Sequence, residues 1–154
     1  MSVKVGSVLA GAVAAGLLAG GASVVIPSAG SEPRTAMTPA RSFTFCHTGG
    51  GTNCVVDGDT LWMDGVKIRV SDIDAPETHS PRCAEEAKLG TKATQRLLAL
   101  VNEGAFAVSA SDSRDEDRYG RKLRVLTRDG QSLGGILVSE GLARQWTGSR
   151  RPWC

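Results

Sequence analysis

Three short segments carry the residue types from which a hydrolytic site is built. They are Val55-Val56-Asp57-Gly58-Asp59-Thr60, Arg69-Val70-Ser71-Asp72-Ile73-Asp74-Ala75-Pro76-Glu77 and Asp117-Arg118-Tyr119-Gly120-Arg121. Each alone has a plain structural explanation, as a turn, a loop leading into a helix or the end of a hairpin. Together, Asp57, Asp59, Asp72 and Asp74 offer four carboxylates at the ends of strands expected to be neighbours. Like charges repel at short range unless a hard cation sits among them, and carboxylate-only ligation suits calcium rather than zinc. Arg69 and Arg121 beside such a cation make sense only if a polyanion completes the charge balance, and the guanidinium fork suits phosphate oxygens. Glu77 follows Pro76 at a bend, where a carboxylate reaches a water rather than a ligand position. A cation, two arginines and a free carboxylate are the parts for phosphodiester hydrolysis.

These side chains must be brought together by the elements around them. Residues 60–63, the pair Asp64-Gly65 and residues 66–70 predict a β-hairpin, because Asp-Gly suits a two-residue primed turn. Arg69 and Asp74 are five apart and would face opposite sides of an unbroken strand, so the strand must end or bulge near Asp72. Residues 81–102 predict a helix, with Leu89, Ala93, Leu97, Leu100 and Val101 on one face and Gly104 as a stop. Residues 105–110 and 123–127 predict two more strands flanking a polar loop, Asp129-Gly130 a turn, and residues 133–139 a short helix. The expected class is α+β: a small five-stranded barrel of the oligonucleotide-binding kind, with a long helix between strands 3 and 4 and a short C-terminal helix.

Charge is divided along the chain. Residues 55–117 hold seven Lys/Arg against thirteen Asp/Glu, and residues 118–154 hold eight against two. On charge alone, an acidic block followed by a basic one reads as two solvated faces; it would also suit a site that holds a cation with one half and phosphate with the other. At the amino terminus, residues 5–26 form 22 residues without a charge, long enough to cross a bilayer. Residues 1–27 therefore read as a signal peptide or an N-terminal membrane anchor, residues 28–42 as a flexible linker, and residues 43–154 as the folded domain. Either reading of the leader exports the domain, to the medium, the periplasm or the membrane surface. Four cysteines in an oxidising compartment predict two disulfides, with three possible connectivities. A seven-residue, glycine-rich loop separates Cys46 from Cys54 and favours their pairing, which leaves Cys83 for Cys154. A zinc site from Cys46, His47, His79 and Cys83 competes, but no pair has zinc-finger spacing.

In order and spacing, the three segments resemble the staphylococcal nuclease (thermonuclease) family over residues 54–146. The resemblance implies an oligonucleotide-binding barrel that cleaves DNA and RNA, single-stranded or denatured forms favoured, with calcium, as a monomer. By position, Asp59 and Asp74 match the family's calcium carboxylates, and Ala75 matches a residue that ligates through its backbone carbonyl. Arg69, Glu77 and Arg121 match its catalytic trio, and Tyr119, with neighbouring Arg118, falls at the nucleotide phosphate. The family's threonine is Ala75 here, so a hydroxyl contact is lost. Gln145-Trp146-Thr147 stands where a base-stacking tyrosine is expected, which puts Trp146 forward for that role. A non-catalytic module that binds single-stranded nucleic acid is the alternative reading. The Arg150-Arg151 pair, outside the shared region, is expected to add only salt-sensitive attraction for substrate.

Overall fold

Two acid–glycine pairs turn the chain: Asp64 and Gly65 have φ of 51° and 78°, and Asp129 and Gly130 have φ of 50° and 78°. Both are left-handed pairs of the kind that joins twisted antiparallel strands. In the computed structural model, which describes residues 40–47, 51–111 and 114–154, they close the hairpins β3 (Thr60–Met63) to β4 (Val66–Val70) and β7 (Lys122–Arg128) to β8 (Gln131–Ser132). The leader expected over residues 1–27, and most of the linker, lie outside the described residues.

The remaining elements are β1 (Thr44–Phe45), β2 (Cys54–Asp57), β5 (Ile73–Asp74), α1 (Ala84–Asn102), β6 (Ala107–Ala110), α2 (Leu133–Ser139) and β9 (Arg144–Gln145). The main sheet is mixed, in the order β1-β2-β3-β4-β7-β6, with β4 and β7 parallel. A separate two-stranded ribbon joins β5 to β9. Among the described residues the fold is α+β with two helices. Among the described residues the end strands β1 and β6 do not pair with each other, so the sheet stays open where the sequence predicts a closed barrel. Strand-forming residues are spent in short pieces instead, and among the described residues four of the nine strands are only two residues long.

The core lies between the sheet and α1. Leu97, Leu100 and Val101 of the helix pack with Val55, Leu61, Ile68, Val70, Phe106 and Leu126 of the sheet side, all buried. Burying such side chains is the main favourable contribution to folding, roughly 1.5–3 kcal/mol for each. The end of α1 is closed by a β7 side chain: Arg128 donates through Nη2 to the carbonyls of Leu100 (2.6 Å) and Gly104 (3.0 Å).

Small residues let α1 approach the polar loops at its other end. A Cβ on Gly58 would lie 2.6 Å from Cβ of Ala93 and 2.9 Å from Cβ of Ala75. A Cβ on Gly90 would lie 2.8 Å from the carbonyl oxygens of both Pro76 and Glu77. The helix thus presses on the two loops that carry Asp59 and Glu77. Buried Glu86, one turn before Gly90, completes the joint: Oε2 accepts from the Arg82 amide (2.6 Å) and Oε1 from the Glu77 amide (3.4 Å).

Two disulfides bracket this arrangement, Cys46–Cys54 and Cys83–Cys154. The second ties the last residue to the start of α1 across a sequence separation of 71. In the chain-entropy account a link that long stabilises by roughly 4 kcal/mol.

Two stability measurements check this scaffold. Gly90→Ala should lower stability in urea denaturation by roughly 1–3 kcal/mol, despite alanine's better helix propensity, because backbone atoms must move; a gain would mean the close approach is absent. Replacing Cys83 and Cys154 together by serine should lower the melting temperature by more than replacing Cys46 and Cys54, whose loop is short. An equal or smaller loss would contradict the tether.

Candidate active site

The three segments meet at one end of the sheet. Asp59 sits in the tight β2–β3 turn, where β2 is irregular between Val55 and Asp57, and its side chain is buried. Its Oδ2 accepts from Arg69 Nη1 at 2.7 Å and from the Ala75 amide at 3.3 Å, and its Oδ1 from Thr60 Oγ1 at 2.9 Å. Asp74 is reached because β4 ends at Val70 and the chain turns at Ser71-Asp72 before β5. That break brings Arg69 and Asp74 to one side, with Arg69 Nη2 3.7 Å from Asp74 Oδ1. Glu77, past Pro76, is positioned through its backbone by Glu86.

Arg121 arrives from the loop before β7. Asp117 holds it: Oδ2 accepts from Arg121 Nε at 2.7 Å, and Oδ1 accepts from the amides of Tyr119 (2.9 Å) and Arg121 (3.0 Å). Arg121 Nη1 also donates to Thr60 Oγ1 at 3.2 Å, and Thr60 donates to Asp59, so the arginine and the carboxylate are joined through one hydroxyl. Tyr119 is 67% exposed, with the Arg118 and Arg121 guanidinium carbons 4.7 Å and 5.5 Å from its ring centre. A cleft of about 870 Å³ runs past these groups, lined by Glu77, Arg69, Tyr119, Arg121, Trp146 and Arg150 among others. Trp146 lies beside Arg69, whose guanidinium carbon is 5.6 Å from its ring centre.

Electrostatics follow from this crowding. Asp57, partly buried with Oδ1 3.2 Å from the Asp59 amide, is pushed up to about 7, first by burial and then by the charges of Asp59 and Glu77. Asp74 is also raised, by burial first and by the charge of Asp59, against the lowering influence of Arg150 and Arg69. The acids are too close to be comfortable without a positive charge among them.

That charge comes from Arg150. Its Nε lies 2.9 Å from Asp74 Oδ1, its Nη2 3.7 Å from Asp59 Oδ2, and its Nη1 pairs with Glu77 Oε1. Among the described residues no three acidic, histidine or cysteine side chains form a metal-ligating group as they stand; these three are arranged around a guanidinium. The donor set nevertheless fits a hard cation. Asp59 and Asp74 each turn an oxygen toward the Arg150 guanidinium, and Asp74 Oδ1, buried there, meets positive charge from Arg150 and Arg69 without an aligned hydrogen bond.

Two expectations from sequence are corrected. Asp72 is not with the other carboxylates: it faces the start of α2, where its Oδ2 accepts from Ser132 Oγ at 2.5 Å and Ser132 Oγ accepts from the Gly135 amide. A carboxylate there is favoured by the unpaired amides of the helix start. Arg150 is not a peripheral basic residue but lies inside the acidic cluster. Glu86, Asp117 and Arg150 were not assigned to the site by sequence reasoning. Asp117 stands within the third segment and Glu86 shows as an acid in the first turn of a helix, but nothing local marks Arg150.

The Asp117–Arg121 contact generates a pH test. Burial pushes Asp117 up, but the bonds from Arg121 and Tyr119 outweigh it and hold the carboxyl below its ordinary range. A group with a lowered native pKa stabilises above its unfolded value and loses that contribution as pH falls through the native one. Asp117→Asn should therefore cost about 2 kcal/mol at pH 6, and the gap from wild type should close as pH falls below the ordinary carboxylate range. A gap that does not change with pH would contradict this role.

Comparison with known proteins agrees with this geometry. The family described as staphylococcal nuclease homologue matches residues 67–152, more than half of the chain. Endonuclease YncB of Bacillus subtilis (strain 168) is 36% identical over 93 residues, covering 58% of this chain and 44% of the relative. The SPbeta prophage-derived endonuclease YokF of the same organism is 36% identical over 93 residues, covering 58% and 31%. Micrococcal nuclease of Shigella flexneri is 32% identical over 102 residues, covering 58% and 53%. The chain thus spans about half or less of the length of these curated relatives. From the extent of the match and the site that its residues build, the chain belongs to the staphylococcal nuclease family.

Proposed function

We propose that the chain is a calcium-dependent nuclease that hydrolyses phosphodiester bonds of DNA and RNA with low sequence specificity. The observation that carries this reading is the gathering of Asp59, Asp74 and Glu77 around the Arg150 guanidinium, which lines a cleft together with Glu77, Arg69 and Arg121. The three relatives are named as endonucleases or a nuclease.

Asp59, Asp74 and the Ala75 carbonyl would hold the ion. When bound, calcium supplies positive charge for the phosphoryl oxygens and lets the carboxylates face one another. Arg69 and Arg121 have fixed positions before substrate arrives, Arg69 on Asp59 and Arg121 on Asp117 and Thr60. Donors already in place stabilise developing charge without rearrangement. Glu77 takes a proton from water as the water oxygen bonds to phosphorus and the bond to the leaving sugar oxygen breaks. Tyr119 and Arg118, exposed at the cleft, receive the flanking phosphate, and Trp146 offers a ring for a base, a contact that tolerates any sequence. An unpaired strand fits this best, since its bases are free to stack.

Export belongs to the same proposal. Two disulfides among the described residues suit an oxidising compartment, and residues 5–26 would serve as signal or anchor. The domain acts as a monomer.

Purified protein should degrade denatured DNA with calcium present and stop when a chelator is added. Glu77→Gln and Arg121→Ala should each lower the rate on the order of a hundredfold. Near-full activity in both variants, or in excess chelator, would overturn the assignment.

A further inference from the structure

The tail after β9 is fastened on both sides of the carboxylate cluster. At one end, Arg144 pairs in register with Asp74 across the β5–β9 ribbon. At the other, Cys154 is bonded to Cys83, the residue that precedes α1. Between them, the Arg144 guanidinium carbon lies 3.7 Å from the centre of the Trp153 ring, and Arg144 Nη1 donates to the carbonyls of Pro152 (3.0 Å) and Arg151 (3.4 Å). Residues 146–154 therefore form a strap over the site. A strap tied at both ends loses little further freedom when one of its side chains docks.

Arg150 is the side chain that docks. Its one guanidinium meets Asp59, Asp74 and Glu77, the two acids that would hold the ion and the acid that would take the proton. It also walls two cavities, the cleft with Arg69 and Arg121 and a hollow of about 450 Å³ beside His79, Arg82 and Trp153. Yet its side chain remains 46% exposed, so a path out to solvent is open.

We propose that Arg150 is a built-in counter-cation: it fills the carboxylate cluster when no divalent ion is bound, and the ion must displace it. This deepens the proposed function and rests on its metal site. The chemistry favours exchange in one direction only when the ion is plentiful. Guanidinium spreads a single charge over a planar group, whereas a calcium ion would concentrate two charges among the carboxylate oxygens. Asp59 and Asp74 would close in as Arg150 leaves. Glu77 is released in the same step, so the ion and the free base appear together. Arg150 thereby sets the calcium concentration at which the site assembles.

Calorimetric titration of calcium chloride into the full chain tests this, in low-salt buffer at pH 7.5. Four proteins are compared: wild type, Arg150→Gln, Arg150→Lys and Arg151→Gln. Arg150→Gln should bind calcium about tenfold more tightly, the size of an ordinary coupling between two sites. Arg150→Lys keeps the charge and should stay nearer wild type. Arg151→Gln removes the same charge one residue away and should change affinity less than about twofold, because an exposed charge is screened. Calcium at half-maximal activity should fall in parallel for Arg150→Gln. Equal or weaker calcium binding in Arg150→Gln would overturn the proposal while leaving the nuclease reading intact. An equal gain in Arg151→Gln would overturn it too, since net charge and not occupation would be responsible. If none of the four binds calcium, the metal site itself falls, and this inference with it.

Discussion

The structure turns on the repulsion among acids held in one place. Asp57, Asp59, Asp74 and Glu77 are brought together where water is partly excluded, and an aqueous carboxylate would not choose such neighbours. Burial and mutual charge push Asp57 up to about 7. What makes the arrangement stable is positive charge from outside the cluster: Arg69 on Asp59, and Arg150 on Asp59, Asp74 and Glu77. In the proposed function the same demand for charge would draw a cation and, beside it, phosphate.

The fold serves that constraint by holding the acids against their repulsion. Gly58 and Gly90 bring α1 to within contact of the loops that carry Asp59 and Glu77, where any side chain would force them away. Glu86 pins the Glu77 backbone from the helix, and the break between β4 and β5 turns Asp74 toward Arg69. Asp117 sets Arg121 on the other side of Thr60. Each of these contacts is local, but they all bear on one cluster. The open sheet is sufficient for this, since the ladder that matters, β2-β3-β4-β7, is continuous.

Much of the site could be read from the chain because its parts lie in short, self-describing segments. Asp64-Gly65 identifies a hairpin from turn chemistry alone, and the apolar spacing of Leu97, Leu100 and Val101 identifies one face of α1. The five-residue gap between Arg69 and Asp74 demanded a break, and the structure has one. Asp72 was misplaced because its type matched its neighbours, while its partner Ser132 lies 60 residues away. The closed barrel was expected from strand order, but order does not specify whether the edges meet. Arg150 was illegible for the same reason as Ser132: its partners are up to 91 residues distant, and the β5–β9 ribbon together with the Cys83–Cys154 link carries it to them.

The central claim is that the cluster is built to hold one hard cation, with Arg150 standing in for it. A crystal structure grown with millimolar calcium chloride, with anomalous data to locate the ion, tests it most directly. The account predicts a single calcium bound by the carboxylates of Asp59 and Asp74 and the carbonyl of Ala75, with Arg150 withdrawn from all three acids. Arg150 still paired with Asp74 and Glu77, and no ion between Asp59 and Asp74, would contradict it.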